Sequence, residues 1–360
     1  MRTYRVAVVG TGGIAEAAHV PAIRAAGERA KLVTAVDADP ARLAVFQQKT
    51  GVPVAYQSLK SMLRTEKPDL VQVCTPPATH ADIAITCLEA GAWVLLEKPP
   101  ALSLAEYDRI SAAEADGGPF ASVVFQHRFG SGARHARNLI ESGALGRPLV
   151  ALCHTTWFRD QSYFDVPWRG KWATEGGGPT MGHGIHQIDL LLALLGEWTE
   201  VRAMAARLDR TMETEDVSMA IVRFASGAMA SIVNSVLSPR EESYLRLDLT
   251  EATVEVTHLY GYHNTDWRYT PAPHVTDERL IRSWSAVPED VGSSHSAQLP
   301  HLLDAMDRGQ RPPLSGAEGR AALELITALY RSAFTGTPVT REQLEPGDVF
   351  YHRMNGDVKL

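Results

Sequence analysis

The sequence predicts an α/β protein in two domains: a doubly wound parallel sheet, then an α/β domain with a large, mostly antiparallel open sheet. Three observations predict it. In the first third, Arg5–Val9, Lys31–Val36, Asp69–Cys74, Trp93–Leu96 and Phe120–Phe125 are short apolar runs separated by helix-length segments, the order that builds a parallel sheet. The first run ends in a glycine-rich turn, Gly10-Thr11-Gly12-Gly13-Ile14-Ala15. Beyond Gly196 the pattern changes. Val201–Leu208, Val217–Phe224, Ala228–Val236, Tyr244–Thr250 and Ala252–His258 follow one another with only short turns between them, which favours antiparallel pairing.

Size and charge narrow the class. A chain of 360 residues, 45% of them hydrophobic, is long enough for two cores. A net charge of -7 disfavours nucleic acid and anionic membrane as partners. The three cysteines, Cys74, Cys87 and Cys153, form no Cys-x-x-Cys pair, so neither a disulfide framework nor a zinc knuckle is expected. The chain enters a strand at Tyr4, leaving no room for a signal peptide, and the leucine-rich run Leu190–Leu195 is too short to span a bilayer. A cytoplasmic protein is expected.

The glycine turn reads G-x-G-x-x-A, after a strand and before a helix that reaches about Ala26. Gly10 permits the tight turn, Gly12 lets the backbone approach a pyrophosphate, and Ala15 keeps the helix close to the strand. The N–H groups at the helix start face the phosphates. Gly10, Thr11, Gly12, Gly13 and Ile14 are therefore assigned to a dinucleotide, and the domain to the Rossmann class. The second strand ends at Asp37, whose carboxylate can accept from both ribose hydroxyls and repels a 2′-phosphate. NAD is thus expected over NADP. Arg42 is either a phosphate contact or a solvated helix residue, and Asp39 with Pro40 starts that helix.

The next strand ends in Cys74-Thr75-Pro76-Pro77-Ala78-Thr79-His80. Thr79 is expected to cap the following helix, and His80 faces either a backbone carbonyl or the cofactor. Gly91 closes that helix. Trp93–Leu96 reads as a strand buried on both faces. Its first charges, Glu97 and Lys98, are followed by Pro99-Pro100 and lie at the carboxyl edge of the sheet, where ligands bind in open α/β folds. Cys74, Thr75, Pro76, His80, Glu97, Lys98 and Gln126 are candidate cofactor contacts at that edge. Ser103 caps a helix to Ala115, with Glu106 completing a capping box. The boundary falls near Arg128, giving a dinucleotide domain over 1–128 and a substrate and oligomerisation domain over 129–360.

In the second domain, 133–142 is a helix and 149–156 a strand. The loop Phe164–Trp172 is rich in aromatics and cations, and Trp168, Arg169 and Lys171 are assigned to a pocket wall. Gly176-Gly177-Gly178 precedes His183, His186 and Asp189, then an apolar helix closed by Gly196. Spaced three apart, these donors drift round a helix by roughly 60° per step, so no metal is expected. Asp189 reads either as a substrate contact or as a structural partner for a nearby cation. Residues 262–292 are irregular, and helices over Ser296–Arg308 and Gly316–Ala333 close the chain.

These residues together resemble the glucose-fructose oxidoreductase / inositol dehydrogenase / MocA family. The shared features are the glycine turn, Thr75-Pro76-Pro77 with His80, Glu97-Lys98-Pro99, the triple glycine, Gly184-Ile185-His186 with Asp189, and Ser315-Gly316 with Gly319-Arg320. The resemblance implies a homodimer or homotetramer assembled through the second sheet. It also implies that Lys98 contacts the reacting hydroxyl and that His186 is the acid/base. An aspartate usually stands four residues before that histidine; here the position is Gly182, with His183 beside it.

Oxidising a secondary alcohol needs a cation to stabilise the alkoxide and a group titrating near neutrality to take the proton. Lys98 and His186 supply both. The expected activity is an NAD-dependent dehydrogenase acting on a sugar, inositol or related polyol. Two rivals are a cofactor-binding regulator without turnover, and a lyase or glycosidase that oxidises and re-reduces its substrate on bound NAD.

Overall fold

The structure is a computed structural model that describes residues 2–358. The chain divides into two compact units. One comprises residues up to Val124 together with Ser294–Arg320; the other comprises Phe125–Ser293 and residues from Ala321 on.

The first unit is built on six parallel strands: β1 Tyr4–Val9, β2 Ala30–Val36, β3 Val54–Tyr56, β4 Leu70–Val73, β5 Trp93–Leu96 and β6 Ala121–Val123. Their order, β3-β2-β1-β4-β5-β6, is that of a doubly wound Rossmann sheet, with its switch point between β1 and β4. The apolar runs are buried on both faces, as all-parallel strands require. Val6, Val8, Leu70 and Leu95 pack in one core with Phe46 and with Leu299, Leu302, Leu303 and Met306 of helix His295–Arg308. That helix starts on Ser294, whose hydroxyl accepts from the Ala297 N–H, and stops at left-handed Gly309.

Local signals fare unevenly. Asp39 caps helix Pro40–Thr50, accepting from the Ala41 and Arg42 N–H groups. Thr79 caps nothing: its hydroxyl goes to Thr75 and the Pro76 carbonyl instead. Ser103 accepts from the Glu106 N–H as expected, but the Glu106 carboxylate takes the Leu102 N–H, so the capping box does not close on Ser103.

The second unit holds eight strands: β7 Pro148–Phe158, β8 Trp198–Ala206, β9 Val217–Phe224, β10 Met229–Ser235, β11 Leu237–Leu249, β12 Ala252–Thr257, β13 Trp267–Pro271 and β14 Val339–Thr340. The order is β13-β12-β11-β7-β10-β9-β8-β14. Every pairing is antiparallel except β7 with β10. Residues 262–292, read as irregular, contain β13 and helix Glu278–Trp284. Both are short, and that helix buries only Trp284, so neither has the repeated apolar face that sequence periodicity detects. Helix Ile185–Leu195 packs on β7 and β11 with ten of its eleven residues buried.

The triple glycine lies against a buried acid. Glu215 accepts from the Gly178 and Thr180 N–H groups and from the Tyr330 hydroxyl at 2.8 Å. A Cβ on Gly178 would overlap the Glu215 carbonyl, and one on Gly177 the Tyr330 hydroxyl. Burial pushes the Glu215 carboxyl up to about 7, against the hydrogen bonds it accepts. Folding therefore favours its protonated form. That contribution is complete below the ordinary value of 4.5 and is lost as pH rises through about 7. Glu215→Gln abolishes the titration. The stability of the unmodified protein relative to this variant, from thermal melts, should fall between pH 4.5 and 7; a pH-independent difference would contradict the assignment.

Candidate active site

In the first unit the site begins where β1 meets β4. Gly10 has φ +88°, and a Cβ there would come within 2.8 Å of the Cys74 and Thr75 backbone. Two hydrogen bonds close the junction, Gly10 N–H to the Val36 carbonyl at 2.8 Å and Cys74 N–H to the Val9 carbonyl at 2.7 Å. Only glycine fits. Gly12 and Gly13 differ: neither has positive φ, and beyond the adjoining backbone of the turn nothing lies within 4 Å of a Cβ built on either. Nothing in the chain itself demands glycine there. The space above them is a cradle that side chains would fill, which fits a dinucleotide's phosphates. Ala15 is fully buried and Ile14 is exposed beside the turn.

Asp37 is tied into the same turn. One carboxylate oxygen accepts from the Thr11 N–H and hydroxyl, both at 2.8 Å, and the other from the Asp39 N–H at 2.9 Å. Burial opposes its charge, but these donors and Arg42 outweigh that and lower its pKa. Arg42 sits 3.8 Å from Asp37, half-exposed. His80 is fully buried, with Nδ1 facing the Pro99 carbonyl and Nε2 the Thr75 carbonyl, each at 2.7 Å. It therefore holds two rim loops by their backbones, the carbonyl alternative of the sequence reading. Burial lowers the His80 pKa, against the pull of the two carbonyls it faces.

At the end of β5, Glu97 is buried and Lys98 half-buried. Glu97 Oε1 meets His19 Nε2 and His295 Nε2, each at 2.9 Å, while Oε2 accepts the Lys98 N–H at 3.1 Å. Burial alone would raise the Glu97 pKa; the two imidazoles hold it well below the usual carboxylate range. Among the described residues this is the one close group of three His, Cys, Asp or Glu side chains. His183, His186 and Asp189 form no such group.

In the second unit, His186 is buried within an aromatic surround. Its ring lies 5.3 Å from His127, 5.7 Å from Tyr260 and 6.3 Å from Phe125. His183 packs edge-on to Trp157 at 4.8 Å and faces the Tyr163 hydroxyl at 3.3 Å. Arg169 lies over the Tyr163 and Trp168 rings, and Lys171 is exposed. Asp189 is fully buried and bidentate with Arg128 at 2.6 Å, which realises its structural alternative. Gln126 falls in this unit and donates to the Tyr260 hydroxyl. At Gly182, a Cβ would meet only Glu175 Oε1, at 3.5 Å; a buried carboxylate thus stands near the position where the resemblance leads one to expect an acid. A cavity of about 470 Å³ beside Arg128 and helix Ser131–Glu141 is lined by none of the predicted substrate residues.

Sequence reasoning missed His19, His295, Glu175 and Tyr260. Each is recruited by the fold, and none sits in a spacing that marks it.

A glycine cradle at the switch point of a doubly wound sheet, with an acid at the end of β2, defines a dinucleotide-binding oxidoreductase domain. A model of the NAD-binding Rossmann fold of an oxidoreductase family matches residues 4–125, and a model of the GFO/IDH/MocA C-terminal domain matches residues 133–257. The chain belongs to the Gfo/Idh/MocA family. It is 26% identical to D-glucoside 3-dehydrogenase of Escherichia coli K12, over 93% of this chain and 97% of that one. Myo-inositol 2-dehydrogenase of Thermotoga maritima is also 26% identical, over 91% and 96%. The WlbA dehydrogenase from Bordetella pertussis, solved with NADH and UDP-GlcNAcA, superposes with a TM-score of 0.83 at 30% identity, covering 94% of this chain and 98% of that one.

The two kinds of glycine make separable predictions. Gly10→Ala should lower the thermal midpoint, because strand ends must part to admit a methyl group. Gly12→Ala should leave the midpoint within about 2 °C yet weaken NADH binding at least tenfold by fluorescence titration. Unchanged NADH affinity in Gly12→Ala would refute the cradle.

Proposed function

We propose that the protein is an NAD-dependent dehydrogenase that oxidises a secondary hydroxyl of a sugar, inositol or related polyol. The observation that carries this reading is Lys98 at the carboxyl rim of β5, in the same unit as the open cradle above Gly12 and Gly13. The curated relatives with sugar and inositol substrates support the substrate class. Asp37 supports NAD: its carboxylate is held by Thr11 and Asp39, and a 2′-phosphate would bring like charge to it. Bound nicotinamide supplies the hydride acceptor. Lys98 stabilises the negative charge growing on the substrate oxygen. His186 takes the hydroxyl proton, with His127 and Tyr260 fixing the plane of its ring. Trp168, Arg169, Lys171 and His183 contribute to recognition of the substrate's remaining hydroxyls.

Assembly through the second sheet belongs to the same reading. Met204, Met219, Ile221 and Met229 lie on one face of β8, β9 and β10, and Met204 is 79% exposed. An apolar face of that kind on a lone chain is costly. Ile221→Glu should convert a dimer or tetramer to a smaller species by light scattering; an unmodified protein that is already monomeric would reject the interface.

Activity is tested by adding NAD and a panel of inositols, aldoses and glycosides and following NADH absorbance. Net NADH formation is the expected result. Binding of NAD without turnover would favour a regulator, and product without net NADH a redox-assisted lyase. Lys98→Ala should lower kcat at least about 1,000-fold with NAD affinity nearly unchanged; undiminished turnover would overturn the role given to Lys98. Asp37→Ala should weaken NAD more than NADP.

A further inference from the structure

We propose that His19 and His295 are positioning residues for Lys98, acting through the carboxylate of Glu97. The inference rests on the reading in which Lys98 meets the substrate oxygen. Three segments distant in sequence converge on this carboxylate. His19 comes from the π-type turn Ala15–His19 that follows the glycine loop, Glu97 from the end of β5, and His295 from the first residue of helix His295–Arg308. All three are buried.

The bonding is directional. Both imidazoles reach the same oxygen, Oε1, while Oε2 accepts the backbone N–H of Lys98. The carboxylate plane, and with it the start of the Lys98 residue, is fixed by two rings from elsewhere in the fold. His19 is fixed in turn by Gln72 Oε1, 2.8 Å from its Nδ1. With Gln72 so oriented, both His19 nitrogens face oxygens, and the ring must donate from both. That is an imidazolium beside a buried carboxylate, worth more than a neutral contact. Burial opposes charge on His19, and the Glu97 carboxylate favours it. Cys74 itself is buried with a raised pKa and is a neutral thiol at pH 7, so Glu97 is the effective partner. His295 has a lowered pKa, from burial first, and donates as a neutral ring.

The arrangement has an electrical consequence. An unshielded carboxylate next to Lys98 would favour its ammonium form and resist its deprotonation. Two donors on Oε1 draw off that field. The groups facing the carboxylate are His19, His295 and the Lys98 N–H; Gln72, Cys74 and His80 stand behind them, the last facing the Thr75 and Pro99 carbonyls. His19 and His295 therefore set both where Lys98 starts and how readily it loses its proton.

The test reads Lys98 directly, without turnover. The full-length protein is labelled with trace acetic anhydride between pH 7 and 11, and acetylation at Lys98 is quantified by mass spectrometry. In His295→Ala the labelling midpoint should move up by about one pH unit. In His295→Gln, whose amide nitrogen can donate at the Nε2 position, it should return most of the way. With a panel substrate, His295→Ala should lower kcat about tenfold through misplacement of Lys98 and move the alkaline limb of its pH profile up, with the KM for NAD within about twofold. A His295→Ala protein that melts normally and labels like the unmodified chain would overturn the proposal. If His295→Ala does not fold, His19→Gln carries the same test, since it keeps one donor to Glu97 and loses the charge; an unmoved midpoint there overturns it equally. A shifted midpoint in a protein that oxidises no polyol would sustain the coupling while refuting the dehydrogenase reading.

Discussion

The close approach of two strand ends at Gly10 is the constraint on which the first unit depends. Backbone meets backbone there, with no room for a β-carbon, so β1, β2 and β4 end at one point. The hydrogen bonds from Gly10 to Val36 and from Cys74 to Val9 lock that point. Three of the segments assigned to the dinucleotide meet there: the turn over Gly12 and Gly13, the acid ending β2, and the Thr75 loop ending β4. Asp37 shows the economy of the arrangement. The carboxylate that ends β2 satisfies Thr11 and Asp39, so the chain's own bonds shape the loop.

The second unit solves a similar problem by burying polar groups. Glu215, Tyr330 and Thr180 form a closed set under the triple glycine, and Thr180 opens the π-type turn Thr180–Gly184 that carries His183. His186 follows in the first turn of helix Ile185–Leu195. Its ring packs against Phe125, His127 and Tyr260. The histidine-bearing turn is thus held from below by hydrogen bonds and from the sides by rings. π-type turns of this kind widen a helix by one residue and recur at functional positions; among the described residues the other one carries His19.

Much of this was legible in the sequence. Five of the six strands of the first sheet, the Gly10 turn, the Asp39 cap and the closing helices follow from local periodicity and turn chemistry, which depend on neighbours in the chain; β3, three residues long and not fully buried, carries no such signal. What was not legible depends on neighbours in space. Helix His295–Arg308 shows an ordinary apolar face, and nothing in that pattern says that Leu299 and Leu302 join the core of β1 and β4. His295 is therefore invisible as a partner of Glu97, 198 residues away. Thr79 and Glu106 carried good cap signals, but their oxygens found closer donors and acceptors in the loops before them. Glu175 stands near Gly182 across a turn in which the Gly178 carbonyl accepts from the Met181 and Gly182 N–H groups.

In the proposed site the cradle and Lys98 serve one bound dinucleotide, and this arrangement is open to direct test. It is tested most directly by a crystal structure of the protein soaked with NADH. The pyrophosphate should lie against the backbone of Gly12 and Gly13, the ribose on Asp37, and the nicotinamide within reach of Lys98 Nζ. Density for the dinucleotide away from that turn, or a nicotinamide remote from Lys98, would contradict it.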